Sequence, residues 1–346
     1  MNKIRFGIVG TGKTVGIASN HLEGINNCDD TVLAAIYDID KEMARSFYSR
    51  NNLENVKICD SYEELLGMVD AVSICVPNDQ HIEVAIKALD HNKHILVEKP
   101  IAVNAKSVDE LLKAAESNAD VISMVSFNYR EFPIYEFIKE LIDSGKLGAI
   151  YTCRQQLGGN RIADKSVERE WRMDKEQSGP GAVSDFGCHM LDLAYYLLSA
   201  SEGKLKDFKL VSSTHINERN DPATKEKRTV TNDDSAMFIA KTESGALLSF
   251  SASRVGVCNH TIEVVGEGGM VCGDFSRPNE ISVWLKNKEG AYQAEDKTVV
   301  ELEGKGGHNG IIQNFADCVY GKATNERTIR HAKFIQQMID DMLANH

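Results

Sequence analysis

An apolar run, Ile4–Gly10, passes straight into Gly10-Thr11-Gly12 and then into a helical pattern. Two glycines at the end of a strand permit a tight turn and let the backbone approach a pyrophosphate. The helix that follows offers unpaired N–H groups and the positive end of its dipole. Lys13 and Thr14 continue this turn. A third glycine would complete the usual pattern at position 15. Val15 stands there and Gly16 follows, so the turn holds one extra residue or packs Val15 where glycine normally sits. Some twenty residues beyond the turn, Asp38 ends the second strand, where a carboxylate accepts from ribose hydroxyls and repels a 2′-phosphate. Ile39 follows it, so no arginine waits there for that phosphate. NAD is therefore the expected cofactor, with NADP second. The plainer alternative makes Asp38 a helix cap, but Asp40 is better placed for that task.

Two further motifs fall at strand ends, where ligands of open α/β sheets gather. One is Val76-Pro77-Asn78-Asp79-Gln80-His81; Pro77, Asn78 and His81 are expected beside the cofactor. The other is Glu98-Lys99-Pro100. Lys99 would bring an ammonium into the crevice, and Glu98 beside it would fix its position or charge. The Lys99–Pro100 bond is a candidate for the cis form. A lone strand-end lysine is usually only solvated; its place beside the glycine turn argues for function.

The elements that must position these groups are legible as strand runs at Ile4–Gly10, Val32–Asp38, Lys57–Asp60, Ala71–Val76, His94–Glu98 and Val121–Phe127, with helical patterns between. Several are apolar on both faces, as buried parallel strands are. Ser61-x-x-Glu64 and Ser107-x-x-Glu110 fit capping boxes. Strand–helix alternation implies a doubly wound parallel sheet. Past residue 125 the order changes. Helices are expected at Phe132–Ser144, Ala182–Leu198, Asn309–Tyr320 and Ile329–Leu343. Strands are expected at Ile150–Leu157, Lys209–Ile216, Ser235–Thr242, Ala246–Ser253, Thr261–Gly266 and Ile281–Lys286, with Asn217–Asp234 a polar loop or edge excursion. Strands in succession imply an open, mostly antiparallel sheet. A chain of 346 residues suits two domains at roughly 150 residues each. We place them at 1–126 and 127–346, with the helix at 329–345 packing back on the first.

Apolar residues make up 42% and charged residues 26%, which excludes disordered and fibrous classes. A net charge of −12 argues against nucleic-acid or anionic-membrane partners. No run reaches the ~18 apolar residues of a membrane helix, and the N-terminus lacks a signal-peptide pattern, so the expected compartment is the cytoplasm. Eight cysteines without a CxxC pair or metal spacing read as reduced thiols.

These motifs resemble the Gfo/Idh/MocA oxidoreductases over nearly the whole chain. Gly10-Thr11-Gly12, Asp38, Pro77…His81 and Glu98-Lys99-Pro100 follow that family's first-domain order. Phe127-Asn128-Tyr129-Arg130 looks like its domain-junction motif, Trp171-Arg172 like its substrate-domain motif, and Gly181-x-x-x-Asp185-x-x-x-His189 like its catalytic helix. The resemblance implies a Rossmann domain followed by an α+β domain whose open sheet forms a homodimer or homotetramer interface. It also implies NAD(P)-linked redox chemistry at a sugar or polyol carbon. It carries Lys99, Asp185 and His189 over as the catalytic group, and Asn128, Tyr129, Arg130, Trp171 and Arg172 as substrate-side residues.

The chemistry fits these types. Oxidising a secondary alcohol removes a hydride and a proton, and histidine suits the proton. Asp185 and His189 lie four apart on one helix face, and Asp192 extends that polar seam in an otherwise apolar helix. Such a seam either pairs with protein groups or lines a cleft. The Gly179-Pro180-Gly181 start lets backbone and ligand come close. His189 is then the base in oxidation, Asp185 orients it or binds a neighbouring hydroxyl, and Lys99 stabilises charge on the reacting oxygen. His21 reads as a packed or capping residue, and His308, His260 and His215 have weaker contexts. Cys188 adjoins His189 but faces elsewhere. No metal site is expected. Arg130, Arg154, Arg161, Arg169 and Arg172 are candidates to hold a carboxylate, a phosphate or sugar hydroxyls. Two rival functions stay open: an NAD-dependent glycosidase using transient oxidation and elimination, and a non-catalytic NAD-binding regulator.

Overall fold

Six strands, β1 (Ile4–Val9), β2 (Thr31–Tyr37), β3 (Lys57–Ile58), β4 (Ala71–Ile74), β5 (His94–Val97) and β6 (Ser123–Val125), build a parallel sheet in the order β3-β2-β1-β4-β5-β6. The order reverses between β1 and β4, which opens a crevice at their carboxyl ends. β4 and β6 are buried throughout, as the runs of apolar residues require. Five helices alternate with the strands: α1 (Ile17–Asn27), α2 (Lys41–Arg50), α3 (Tyr62–Met68), α4 (His81–Asp90) and α5 (Asp109–Ser117). The computed structural model describes residues 2–12, 16–286, 297–304 and 306–345.

Local chemistry sets the helix starts. Asp40 caps α2 through the N–H of Glu42, as expected, and Ser61 caps α3 through the N–H of Glu64. The capping box expected at Ser107 does not form. Asn104 takes the Ser107 N–H at 3.0 Å and its hydroxyl at 2.9 Å, so the chain enters α5 through a 3₁₀ turn instead.

The second half holds α6 (Pro133–Asp143), β7 (Ile150–Gly158), the short α7 (Lys175–Ser178) and α8 (Cys188–Glu202). Strands follow: β8 (Leu205–Ser213), β9 (Glu218–Asn220), β10 (Lys227–Thr229), β11 (Ser235–Thr242), β12 (Leu247–Ser253), β13 (His260–Gly266), β14 (Gly269–Asp274), β15 (Glu280–Leu285) and β16 (Lys297–Glu301). Two helices close the chain, α9 (His308–Val319) and α10 (Ile329–Ala344). Eight strands form one sheet, ordered β16-β15-β14-β13-β7-β12-β11-β8, antiparallel except where β12 runs parallel to β7. Its strands alternate: in β11 Ala236, Phe238 and Ala240 are buried while Met237 and Ile239 are exposed. The buried face meets the helices; Gly187 lies against the Phe238 ring, and Gln155 donates to the Met190 carbonyl at 3.2 Å. The other face is open, with a trough of about 910 Å³ bordered by Val211, Met237, Ile239 and Val299. The polar stretch 217–234 contains a two-stranded hairpin of β9 and β10.

Two compact units result. The first comprises Met1–Asn128, Glu176–Ser178 and Gly306–Gln337; the second comprises Tyr129–Lys175, Gly179–Lys305 and Met338–His346. The chain thus leaves the first unit after Asn128, returns to it for Glu176–Ser178, and rejoins it at Gly306–Gln337. α9 completes the first core: Ile311, Ile312 and Phe315 pack with Phe6, Ile8 and Phe47. α1 and α9 touch at Gly24, where a Cβ would lie 2.6 Å from the His308 carbonyl oxygen. Among the described residues no helix is long and apolar enough to cross a membrane.

Candidate active site

In the first unit, β1 delivers the chain into a turn with Gly10 at φ +87° and Gly12 at φ +64°. A side chain at Gly10 would strike the Val76 backbone nitrogen at 2.7 Å, so only glycine lets the turn pass the end of β4. Among the described residues nothing lies within 4 Å of the place a Cβ would take at Gly12, which leaves the backbone open to them on that side. Asp38 ends β2 with one oxygen on this turn: Oδ2 accepts from the Thr11 N–H at 2.7 Å and from the Thr11 hydroxyl at 2.9 Å. Its other oxygen accepts the Asp40 N–H at 3.1 Å. Asp38 is therefore tied to the glycine turn, and the capping of α2 falls to Asp40. Lys13, Thr14 and Val15 lie outside the described residues. Arg50, which sequence reasoning passed over, donates to the carbonyls of Thr11 at 3.0 Å and Gly12 at 3.2 Å. It sits 38 residues from Gly12 at the end of α2, so no local pattern announces it.

The Glu98-Lys99-Pro100 turn follows β5, and the Lys99–Pro100 peptide is cis. Glu98 points inward. Its carboxylate accepts from His21 Nε2 at 2.7 Å and from the Lys99 N–H at 3.2 Å, and His308 Nε2 lies 3.8 Å away. Burial alone would raise the Glu98 carboxyl, but the His21 hydrogen bond, followed by His308, overrides it and holds the group well below the usual carboxylate range. Burial lowers His21 in turn, more than its bond to Glu98 raises it. His21, Glu98 and His308 come together although they share no ligand spacing along the chain. His81 is buried, with its ring nitrogens 3.0 Å from the Pro100 and Val76 carbonyl oxygens. It clamps the turn after β4 to the turn after β5. Asn78 donates to the Ser178 carbonyl at 2.9 Å, beside Pro77.

In the second unit the Gly181-x-x-x-Asp185-x-x-x-His189 motif contains a π-helical turn, Val183–Gly187, that runs on into α8. Such turns are frequent at functional sites. Asp233 caps it, accepting the N–H groups of Gly181 at 2.8 Å and Val183 at 3.1 Å. Packing within the protein requires the glycine at 181: a Cβ there would stand 1.7 Å from the Asp233 carbonyl oxygen.

Asp185 is half-buried on the π turn and His189 is buried in the first turn of α8. The Tyr129 ring stacks flat on the His189 imidazole, centroids 3.9 Å apart and planes at 5°. Its other face meets His260 at 5.0 Å, which stacks on Phe275 at 3.6 Å. His260 Nε2 also shares a 2.5 Å hydrogen bond with the Tyr135 hydroxyl. The four rings hold the imidazole plane of His189, and His260 is a member that sequence context did not single out.

Arg130 and Asp192 form a bidentate pair, with Nε–Oδ2 at 2.9 Å and Nη2–Oδ1 at 2.5 Å and with both side chains buried. The polar seam of α8 therefore divides, Asp192 turning to a protein partner. Trp171 and Arg172 occupy a 3₁₀ turn, the guanidinium 4.3 Å from the indole centroid. The Arg172 carbonyl is fixed by Arg254 at 2.7 Å and Asn232 at 2.9 Å. Glu170 pairs with Arg161 at 2.6 Å and with Arg172 at 3.7 Å. Arg169 pairs with Asp174 at 2.7 Å, and Arg154 with Glu263 at 3.3 Å.

Residues 4–127 match the family described as an oxidoreductase family with an NAD-binding Rossmann fold, and residues 135–272 match the GFO/IDH/MocA C-terminal domain. The chain is similar to glucose-6-phosphate 3-dehydrogenase of Bacillus subtilis (strain 168), 28% identical over 269 residues, 76% of this chain and 72% of that protein. It is similar also to myo-inositol 2-dehydrogenase of Thermotoga maritima, 27% identical over 292 residues, 83% of this chain and 79% of that protein. A solved structure of levoglucosan dehydrogenase with NADH and levoglucosan shares the fold, with a TM-score of 0.87 at 23% identity over 99% of this chain and 97% of that one. The two family models together span most of both halves of the chain, and the protein belongs to the Gfo/Idh/MocA family of NAD-binding oxidoreductases.

Proposed function

We propose that the protein is an NAD-dependent dehydrogenase that oxidises a secondary alcohol of a neutral sugar or cyclitol, or reduces the matching ketone. The observation that carries this reading is the His189 imidazole, held flat by Tyr129 one helical turn from Asp185, in a chain of an NAD-binding oxidoreductase family.

The first unit fits the dinucleotide. The open backbone at Gly12 and the Asp38 carboxylate on the same turn suit a pyrophosphate and a ribose diol. Gly10, Thr11, Gly12 and Asp38 would hold it, with Pro77 beside it; Lys13 and Thr14, also expected to contact it, lie outside the described residues. Asn78, His81 and Glu98 shape the neighbouring turns from within. Asp38 favours NAD over NADP by repelling a 2′-phosphate. The bound nicotinamide supplies a hydride acceptor or donor at C4. His189 takes the hydroxyl proton in oxidation and returns it in reduction. Lys99 donates a hydrogen bond to the reacting oxygen and stabilises its growing negative charge. Asp185 orients His189 or holds a neighbouring hydroxyl. Tyr129 backs the imidazole, Trp171 and Arg172 contact the sugar, and Asn128 acts through His308, to which its amide lies 3.3 Å away. Arg130 serves the fold through Asp192.

A neutral substrate is favoured because each of the five arginines offered by the sequence for an anion faces a carboxylate within the second unit. A screen of cyclitols, aldoses, amino sugars and their keto forms, following NADH absorbance with NAD and with NADP, tests the reading. Oxidation of D-glucose 6-phosphate in preference to D-glucose would refute the neutral class. Product release without net NADH would point to the glycosidase instead. The open sheet face, with Val211, Met237 and Ile239 exposed, suits a second copy of the chain. Light scattering of the eluted protein should therefore give a dimer or tetramer. Eight thiols without metal spacing suit the reducing cytoplasm.

A further inference from the structure

We propose that His21 and His308 are positioning residues for Lys99, acting through the buried carboxylate of Glu98. The proposal rests on the reading of Lys99 as a catalytic group. Glu98 is 5% exposed, and a carboxylate removed from water is costly unless donors surround it. An apolar residue at this place would serve the core at lower cost. What the anion adds is geometry for its neighbour, since it accepts the backbone N–H of Lys99 at 3.2 Å.

The donors are set by their own partners. The Glu98 carboxylate can only accept, so the proton of His21 sits on Nε2, and Nδ1 is left to accept from the Ser73 hydroxyl at 2.6 Å. The Asn128 amide donates to His308 Nδ1 at 3.3 Å, which places the proton of His308 on Nε2, 3.8 Å from the same carboxylate, longer than a hydrogen bond but close enough for its dipole to act. The two imidazoles reach Glu98 from opposite ends of the sequence, one on α1 and one at the start of α9. They meet because Gly24 lets the backbone of His308 come within side-chain contact of α1. On the other side of Lys99, His81 holds the Pro100 carbonyl at 3.0 Å. Lys99 is thus flanked by two anchored residues.

The same three side chains could be read as a metal site. The 2.7 Å separation of His21 Nε2 from Glu98 Oε1 is that of a hydrogen bond. Two ligands sharing a tetrahedral zinc ion would stand about 3.3 Å apart, given metal–ligand bonds near 2.0–2.1 Å.

The test compares His308→Leu with His308→Gln, whose amide N–H replaces that of Nε2, and His21→Leu with His21→Gln. His21 is fully enclosed, so the more accessible His308 pair keeps the test alive if His21→Leu fails to fold. Three quantities are read: kcat and KM with NAD and myo-inositol, or whichever panel member is oxidised fastest; NADH affinity by fluorescence; and the rate of Lys99 amidination by methyl acetimidate, by peptide mass spectrometry. We expect the Leu variants to lose about 10–100-fold in kcat, with NADH affinity held and Lys99 amidinated faster, and the Gln variants to recover most of both. Unchanged kcat in His308→Leu overturns the proposal. So does an equal loss in Leu and Gln variants that tracks a fall in Tm, or one zinc per chain in the purified enzyme that His308→Leu abolishes. If the wild-type protein oxidises no panel member, the dehydrogenase reading fails. The amidination rates then decide the positioning role alone: equal rates in all variants overturn it.

Discussion

Replacing Arg130 by methionine separates a substrate-binding arginine from one that holds the fold. Methionine keeps an apolar stem but removes the guanidinium, which lies 4.9 Å from the Tyr196 ring centroid, and leaves the Asp192 carboxylate enclosed without its bidentate donor. Breaking a buried pair by removing one partner costs about 3–5 kcal/mol, whereas replacing both by apolar side chains is often neutral. At about 2–4 °C per kcal/mol for a domain of this size, Arg130→Met should lower Tm by about 6–20 °C. Arg130→Met combined with Asp192→Leu should recover all but about 1–2 kcal/mol. Calorimetry and urea unfolding of the three proteins measure both quantities, and steady-state kinetics on the folded double variant measures KM. A Tm within 2 °C of wild type for Arg130→Met, together with a raised KM, would refute the structural role and return Arg130 to the substrate.

Three other outcomes follow from the site. His189→Ala should lose about 10²–10⁴-fold in kcat while NADH still binds, and near-normal turnover would remove His189 as the base. Asp38→Ala should weaken NAD about tenfold or more and narrow the preference over NADP, by loss of a charged acceptor; titration of both cofactors shows it, and unchanged affinities would place the ribose elsewhere. Burial pushes His260 down from 6.5 to about 3, so between these values the unfolded chain binds a proton that the folded chain refuses. Stability should therefore fall by about 1.4 kcal/mol for each pH unit of acidification through this window, and be regained as pH rises, from this group. His260→Phe, which keeps the ring stack, should flatten the dependence of the urea midpoint on pH by that amount; an identical slope would show that His260 is not the group responsible.

The sequence discloses what local periodicity and local chemistry control. β1, β4 and β5 stand out because strands buried on both faces are continuous apolar runs, and Asp40 stands out as a cap because the bond it makes spans two residues. β14 is hard to read in the sequence because Gly269 and Gly273 interrupt its pattern, although it pairs along its whole length with β13. Partners at long range left no trace. His21 meets Glu98 across 77 residues, Arg130 meets Asp192 across 62, and Asn128 meets His308 across 180. The seam on α8 was visible as polar residues in an apolar helix, but which of them faced a protein partner depended on Arg130. Arg219, read as part of a polar loop, is buried with its guanidinium on the carbonyls of Asp164 and Val167.

The return of α9 to the first unit bears on how the polypeptide is made. While the ribosome is still synthesising residues 129–305, the nascent nucleotide-binding half lacks Ile311, Ile312 and Phe315, and Phe6 and Ile8 lack part of their cover. A chimaera spliced at residue 128 would carry the glycine turn and the Glu-Lys-Pro turn but leave that core unfinished. A workable exchange of this half with a relative's has to transplant the distant segment 306–337 along with it.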